Sequence, residues 1–305
     1  MEQGIEFLIN QQSGQGKAVE LAASAKAGLT RLKISTRLPS SARELTELCR
    51  SLPAEYTKAA VVFGGDGTLN HALRGLIDQD IPLYPYPSGT ANDLAHENGI
   101  TGCPAQLGRL VDSNSIRDYR LLGVNGIPFT TISGIGVGAR VCKEFNEMRE
   151  HFRLMRQLPK KMNCEVYSLL ALKHIVNTWG KGHLVRLISD EVTEVVHTSV
   201  LMVCNQSTLA GNLKVAPGQS PNSDEFTVIF HREPSGFRTL KALAQMKLGR
   251  LDSSFRSFKT KRLRIETLNG ERISVFGDGE ILTEDSSLEF GIFPKRLRVF
   301  SECRD

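Results

Sequence analysis

Apolar and polar positions in the first third of the chain follow an α/β pattern. Residues 5–9 (Ile-Glu-Phe-Leu-Ile) predict a first strand, and a polar loop from Asn10 to Lys17 leads into an alanine-rich helix ending near Ala27. Residues 32–36 read as a second strand. A helix follows Pro39 and runs to about Arg50, with Ser40 and Ser41 as cap candidates. The run 59–63 is small, apolar and partly β-branched, as expected of a strand buried on both faces of a parallel sheet. Leu69, Leu73, Leu76 and Ile77 then share one helical face, and residues 82–86 form a short, proline-flanked fourth strand. Strands alternating with helices predict a parallel sheet with right-handed crossovers.

After about Leu122 the pattern changes. Segments 127–133, 184–188, 192–203, 226–230, 262–266, 272–276, 288–293 and 297–300 read as strands without crossover helices, which predicts a mainly antiparallel second domain. Two helical insertions interrupt it. Residues 143–158 put Phe145, Met148, Phe152 and Met155 at helical spacing with Arg149, Arg153 and Arg156 beside them, and 167–179 reads as the next helix. The second insertion, 237–248, is amphipathic and basic. An apolar stripe packed on the sheet explains such helices, and an interfacial helix is the sharper alternative. The expected division is 1–123, with 295–305 returning to it, and 124–294.

Composition changes this picture little. With 40% hydrophobic and 23% charged residues in 305, the chain is neither disordered nor collagen-like. No apolar run reaches the ~18 residues of a membrane span. The chain enters its first strand without a cationic leader, so a cytoplasmic location is expected. Its six cysteines are scattered, with no Cys-x-x-Cys, and read as reduced thiols. The net charge of +5 is mild but uneven: in 237–264 only Asp252 opposes a run of lysines and arginines, a patch suited to an anionic membrane or nucleic acid.

The candidate chemistry lies at strand ends. The third strand runs into Gly64-Gly65-Asp66-Gly67-Thr68, read as a loop in which glycines take positive φ and let a phosphate reach free amides at a helix N-terminus. A tight βα turn without a ligand is the plain alternative. Asp66 favours a site, because a carboxylate there can hold Mg²⁺ or order a hydroxyl nucleophile. The fourth strand ends in Pro87-Ser88-Gly89-Thr90-Ala91-Asn92-Asp93, and the Asn10 loop completes a set at the strands' carboxyl ends, where ligands of such sheets sit. Near the C-terminus Val275-Phe276-Gly277-Asp278-Gly279-Glu280 again places a carboxylate between glycines; taken alone, it is also what a hairpin turn would look like.

Gly-Gly-Asp-Gly-Thr, Pro-x-Gly-Thr-x-Asn-Asp and a late Asp-Gly-Glu, in this order, resemble the diacylglycerol kinase catalytic domain family, which includes bacterial lipid kinases, sphingosine kinases and ceramide kinases. The resemblance implies an NAD-kinase-like α/β domain with a parallel sheet, a C-terminal β-rich antiparallel sandwich, and ATP in the cleft between them. By position it implies that Asn10, Thr36 (six residues before Ala42), Gly64, Gly65, Asp66, Gly67 and Thr68 contact the nucleotide. Ser88, Gly89, Thr90 and Asn92 match the second nucleotide loop, and Asp278 and Glu280 the proton acceptor. The chemistry agrees: an alcohol attacking a γ-phosphoryl group needs alignment, charge neutralisation by Mg²⁺ and amides, and a carboxylate for the hydroxyl proton.

The chain departs from the family pattern in places. Gln11 replaces a proline and His71 a glutamate, and the segment 216–226 matches a structural Mg²⁺ motif only loosely, with Asp224 as its remaining ligand candidate. The expected function is ATP-dependent phosphorylation of a lipid hydroxyl such as that of diacylglycerol, at an anionic membrane surface met peripherally. Nucleic acid is not expected as a partner, and a homodimer is left open. The alternatives are a ceramide or sphingoid-base kinase, an NAD kinase, which would carry an Asn-Glu pair where this chain has Asn92-Asp93, and a non-catalytic nucleotide- or lipid-binding protein.

Overall fold

The structure, a computed structural model, describes residues 3–29, 31–89, 91–151, 160–177, 181–209, 213–232, 241, 245, 253 and 255–302. The chain forms two compact units, Met1–Arg120 with Lys295–Asp305, and Leu121–Pro294.

The first unit contains β1 (Gly4–Ile9), α1 (Lys17–Ala27), β2 (Ile34–Arg37), α2 (Ala42–Ser51), β3 (Thr57–Gly64), α3 (Asp66–Leu76), β4 (Leu83–Pro87), α4 (Asp93–Glu97) and α5 (Pro104–Asp112). Strand β5 (Ile116–Val124) leads the chain out of it. Its strands pair in parallel in the order β2, β1, β3, β4, followed by the end of the last strand, where Val299 is in register with Leu83. Phe63 lies between Phe7 and Tyr86, ring centroids 4.9 and 4.4 Å away, in a core completed by Ile5, Leu107 and Phe300. Burying these side chains on both faces of a central strand is what selects the apolar run of β3. Of the two cap candidates, Ser41 is the residue that caps α2, its Oγ accepting the Glu44 amide at 3.1 Å. The returning tail is fastened by Arg109, which donates to both carboxylate oxygens of Glu302, and by Arg298 on Asp80.

The second unit continues with β6 (Ile127–Phe129), β7 (Ile132–Gly136), α6 (Val137–His151), α7 (Lys160–Asn177), β8 (His183–Ser189), β9 (Thr193–Thr198) and β10 (Val200–Cys204). The remaining strands are β11 (Thr208–Leu209), β12 (Leu213–Lys214), β13 (Phe226–His231), β14 (Phe255–Thr260), β15 (Arg262–Thr267), β16 (Ile273–Gly277), β17 (Glu280–Asp285) and β18 (Ser287–Phe300), the last of which returns the chain to the first unit. One sheet has the order β14, β13, β10, β7, β16, β17, and the facing sheet runs from β18 through β15 and β8 to β9. Their antiparallel inner faces enclose Leu201, Val203, Phe226, Val228, Leu263, Ile265 and Val275. Leu170 and Ile175 of α7 join Phe145 of α6 in a second core cluster, on the other face of the first of these sheets.

Several boundaries differ from the sequence reading. The run 127–133 is two strands, because the chain turns at Thr130-Thr131. The run 192–203 is also two: β9 pairs with β8 and β10 with β7, and the Thr198 hydroxyl bonds to both Val200 backbone groups where the chain changes sheets. Conversely 288–293 and 297–300 are one strand, since proline's fixed φ is compatible with extended chain at Pro294. Helix α6 begins at Val137, earlier than expected, directly after Gly136 at φ 84°. The expected positions of Arg153, Arg156, Phe152 and Met155, and nearly all of the basic 237–248 insertion, lie outside the described residues.

Candidate functional site

In the first unit, β1, β3 and β4 bring their carboxyl ends side by side. Asn10 follows β1 and is tied to the next strand: its amide donates to Phe63 O at 3.1 Å, and its Nδ2 donates to Thr68 Oγ1 at 2.9 Å. Gly64 ends β3, Gly65 is the N-cap of α3, and Asp66, Gly67 and Thr68 form the helix's first turn. The sequence reading is corrected here. The helix starts at Asp66, not after a long loop, and neither Gly64, Gly65 nor Gly67 has a positive φ. The glycine requirement at Gly64 is steric instead: a methyl group there would overlap the Thr68 side chain. The first amides of α3 lack intrahelical partners and lie at the positive end of its dipole.

Ser88 and Gly89 follow β4 and pack on the other two loops. The Ser88 Oγ donates to Ser13 Oγ at 3.0 Å in a buried contact, and Gly14, at φ 58°, leaves no room for a side chain against Ser88 O. Asn92, also in the left-handed region at φ 56°, braces this loop: its Oδ1 accepts the Gly89 amide at 2.8 Å and its Nδ2 donates to Gly89 O. That amide group is turned to its own loop, so Asn92 acts as a scaffold for Gly89. Asp66 reaches the same segment, its Oδ1 accepting the Leu94 amide at 3.4 Å. Thr36 is exposed near the end of β2, opposite Phe7 in register, and Thr90 lies outside the described residues. Ser13 was not singled out from sequence; its only signal was membership of the polar loop after β1.

His71, which stands in the first turns of α3, is half-buried. Burial, followed by the nearby Arg74 charge, holds its imidazole below the ordinary value, so it is neutral near pH 7. Its carbonyl accepts the Thr46 hydroxyl of α2 at 2.9 Å.

The second unit carries the Asp-Gly-Glu turn between β16 and β17. Asp278 is 4% exposed and left-handed at φ 52°, followed by Gly279 at φ 82°. Its Oδ2 accepts the Thr130 amide at 2.8 Å; its Oδ1 accepts the Thr131 amide at 2.8 Å and the Thr131 hydroxyl at 2.7 Å. Glu280 is partly exposed, and its Oε2 accepts from Asn146 Nδ2 of α6 at 3.2 Å. The adjacent Cys142 thiol is pushed up to about 12 by burial and by the Glu280 charge, so it stays protonated. Asp224 is exposed in the loop before β13, and among the described residues no group of three or more His, Cys, Asp or Glu could hold a metal.

Comparison with known proteins adds to this geometry. Residues 5–124 match the diacylglycerol kinase catalytic domain, and residues 131–301 match the YegS C-terminal NAD kinase beta sandwich-like domain. The chain is 26% identical over 295 residues to a diacylglycerol kinase of Mycobacterium tuberculosis, covering 90% of this chain and 88% of that one. A candidate diacylglycerol kinase from Bacillus anthracis superposes with a TM-score of 0.77 at 20% identity, over 98% of this chain and 97% of that one. An NAD kinase from Archaeoglobus fulgidus, solved in complex with ATP, does so with a TM-score of 0.58 at 13% identity, over 97% and 93%.

Proposed function

The chain belongs to the diacylglycerol kinase catalytic domain family of bacterial lipid kinases and is a kinase; on that premise we propose that it transfers the γ-phosphoryl group of ATP to the primary hydroxyl of diacylglycerol. The observation that carries this reading is the convergence of Asn10, the Gly64–Thr68 segment, Ser88, Gly89 and Asn92 at the carboxyl ends of β1, β3 and β4, a set of amides and a helix N-terminus suited to a polyphosphate. The nucleotide is held there by the first unit. Asp66 is the residue that would hold Mg²⁺, which would supply neutralisation of the charge on the transferred group.

In the transfer the lipid hydroxyl oxygen forms a bond to the γ-phosphorus as the bond to the β,γ-bridging oxygen breaks. The electron pair of that bond leaves with ADP. The hydroxyl proton passes to the Asp278–Glu280 turn, with Asp278 as its acceptor, and then to water. We assign the enzyme peripheral contact with an anionic surface, where its acceptor resides, on the basic stretch 237–264 of its sequence, in which Asp252 is the sole acid; among the described residues no helix is long and apolar enough to cross a membrane.

The test is γ-labelled ATP with diacylglycerol, ceramide, sphingosine or NAD, each lipid presented in both neutral and anionic vesicles. Label is expected in diacylglycerol, faster on anionic vesicles and less so as salt is raised. Label in ceramide or sphingosine alone would replace the acceptor, label in NAD would replace the class, and equal rates on both vesicles at low salt would remove the membrane assignment.

A further inference from the structure

The Asp-Gly-Glu turn is gripped from two sides by residues that belong to no recognised motif. On one side the β6–β7 turn presents Thr130 and Thr131 to Asp278 through two amides and one hydroxyl. That turn is itself fixed: Asn205 donates through its amide to Thr131 O at 2.9 Å and through Nδ2 to Thr130 O at 2.7 Å. On the other side Asn146 of α6 donates to Gly279 O and to Glu280 Oε2, both at 3.2 Å. Amides alone would satisfy a carboxylate that only closes a turn. The Thr131 hydroxyl adds a second donor on Oδ1 and so stiffens the rotation of the carboxylate that the two amides set, and the Asn146 amide restrains Glu280 from a different element.

We propose that Thr131 and Asn146 are positioning residues for phosphoryl transfer, Thr131 setting the orientation of the Asp278 carboxylate and Asn146 that of Glu280. The inference rests on the reading that this turn accepts the hydroxyl proton. Neither residue is proposed to touch substrate; each acts through the acid it holds. Proton transfer from a bound alcohol depends on an alignment of tenths of an ångström, so a carboxylate free to turn acts on fewer of the bound complexes.

The experiment compares Thr131→Val, Thr131→Ser and Asn146→Ala in steady-state kinetics on diacylglycerol, with thermal unfolding of each. Thr131→Val keeps the branched shape and both backbone amides while removing the hydroxyl. It is expected to lower kcat by roughly 10-fold or more, with the KM for ATP unchanged, because the nucleotide loops belong to the first unit. Thr131→Ser restores the hydroxyl and is expected to recover most of kcat, which a role in methyl packing would not allow. Asn146→Ala, on a half-buried helix position, is expected to lower kcat in the same way. Wild-type kcat in folded Thr131→Val, or a serine variant as impaired as the valine one, overturns the inference. Should Thr131→Val not fold, Asn146→Ala decides: a wild-type kcat overturns the proposal, and a lowered kcat with an unchanged ATP KM supports it. Asp278→Asn separates this failure from that of the underlying reading. An inactive Asp278→Asn beside a fully active Thr131→Val removes only the positioning role, whereas a fully active Asp278→Asn removes the acceptor itself.

Discussion

Replacing Asp278 with Asn is expected to reduce kcat by ~10²-fold or more, the usual cost of losing a general base, while leaving the KM for ATP near its wild-type value. The same change is expected to lower stability, because both carboxylate oxygens face donors. An asparagine offers one acceptor oxygen and one NH₂ group. Placing the oxygen on the Thr131 amide and hydroxyl turns the NH₂ toward the Thr130 amide, and the opposite rotamer turns it toward Thr131. Either way donors oppose one another in a site that is 4% exposed, which costs about 1–3 kcal/mol. Urea unfolding followed beside kinetics separates the two effects. A folded variant at wild-type kcat would exclude Asp278 from the chemistry.

Gly89→Ala is expected to remove most ATP binding, through packing and not through backbone strain. Gly89 has no positive φ, but a methyl group on it would enter the Gly65 backbone and press on Asn92 Oδ1. A backbone obstacle cannot rotate away as a side-chain tip can, so the Ser88–Asn92 loop must shift away from the start of α3. Overpacking of this kind costs about 1–3 kcal/mol, and if it is relieved by displacing the loop, ATP affinity falls by roughly 10-fold or more. Calorimetric titration with ATP reads this directly. Gly28→Ala, whose new methyl would make only ordinary contact with Pro104, is the control expected to bind ATP normally. Equal affinity in both variants would show that the Gly89 loop does not bear on the nucleotide.

The parallel sheet and its loops were legible because β1, β3 and β4 are apolar runs ending in small polar residues, a local signal that needs no tertiary information. The reason for the glycines was not legible. Their need arises from what lies opposite, Thr68 beside Gly64 and the Gly65 backbone beside Gly89, and distance along the chain says nothing of that. Strand breaks at Thr130-Thr131 and Ser199 were missed because β-branched residues flank or fill them and continue the strand pattern, while the turns are made by groups the pattern does not show, the Thr198 hydroxyl on the Val200 backbone at one and Asn205 with Asp278 at the other. Thr131, Asn146 and Asn205 are common residues in no motif. The one hint was a polar pair, Thr130-Thr131, inside an otherwise apolar run. Asp278 was found through its glycines, but its grip by the β6–β7 turn depends on pairing between β7 and β16, elements far apart in sequence.

The most direct test of the account is ³¹P NMR of the purified protein with ATP, Mg²⁺ and diacylglycerol in anionic vesicles. A lipid phosphomonoester resonance growing in step with ADP, one for one, is expected, with far slower growth of both in Asp278→Asn. ADP accumulating with inorganic phosphate and no lipid monoester, or ATP left unchanged, would contradict it.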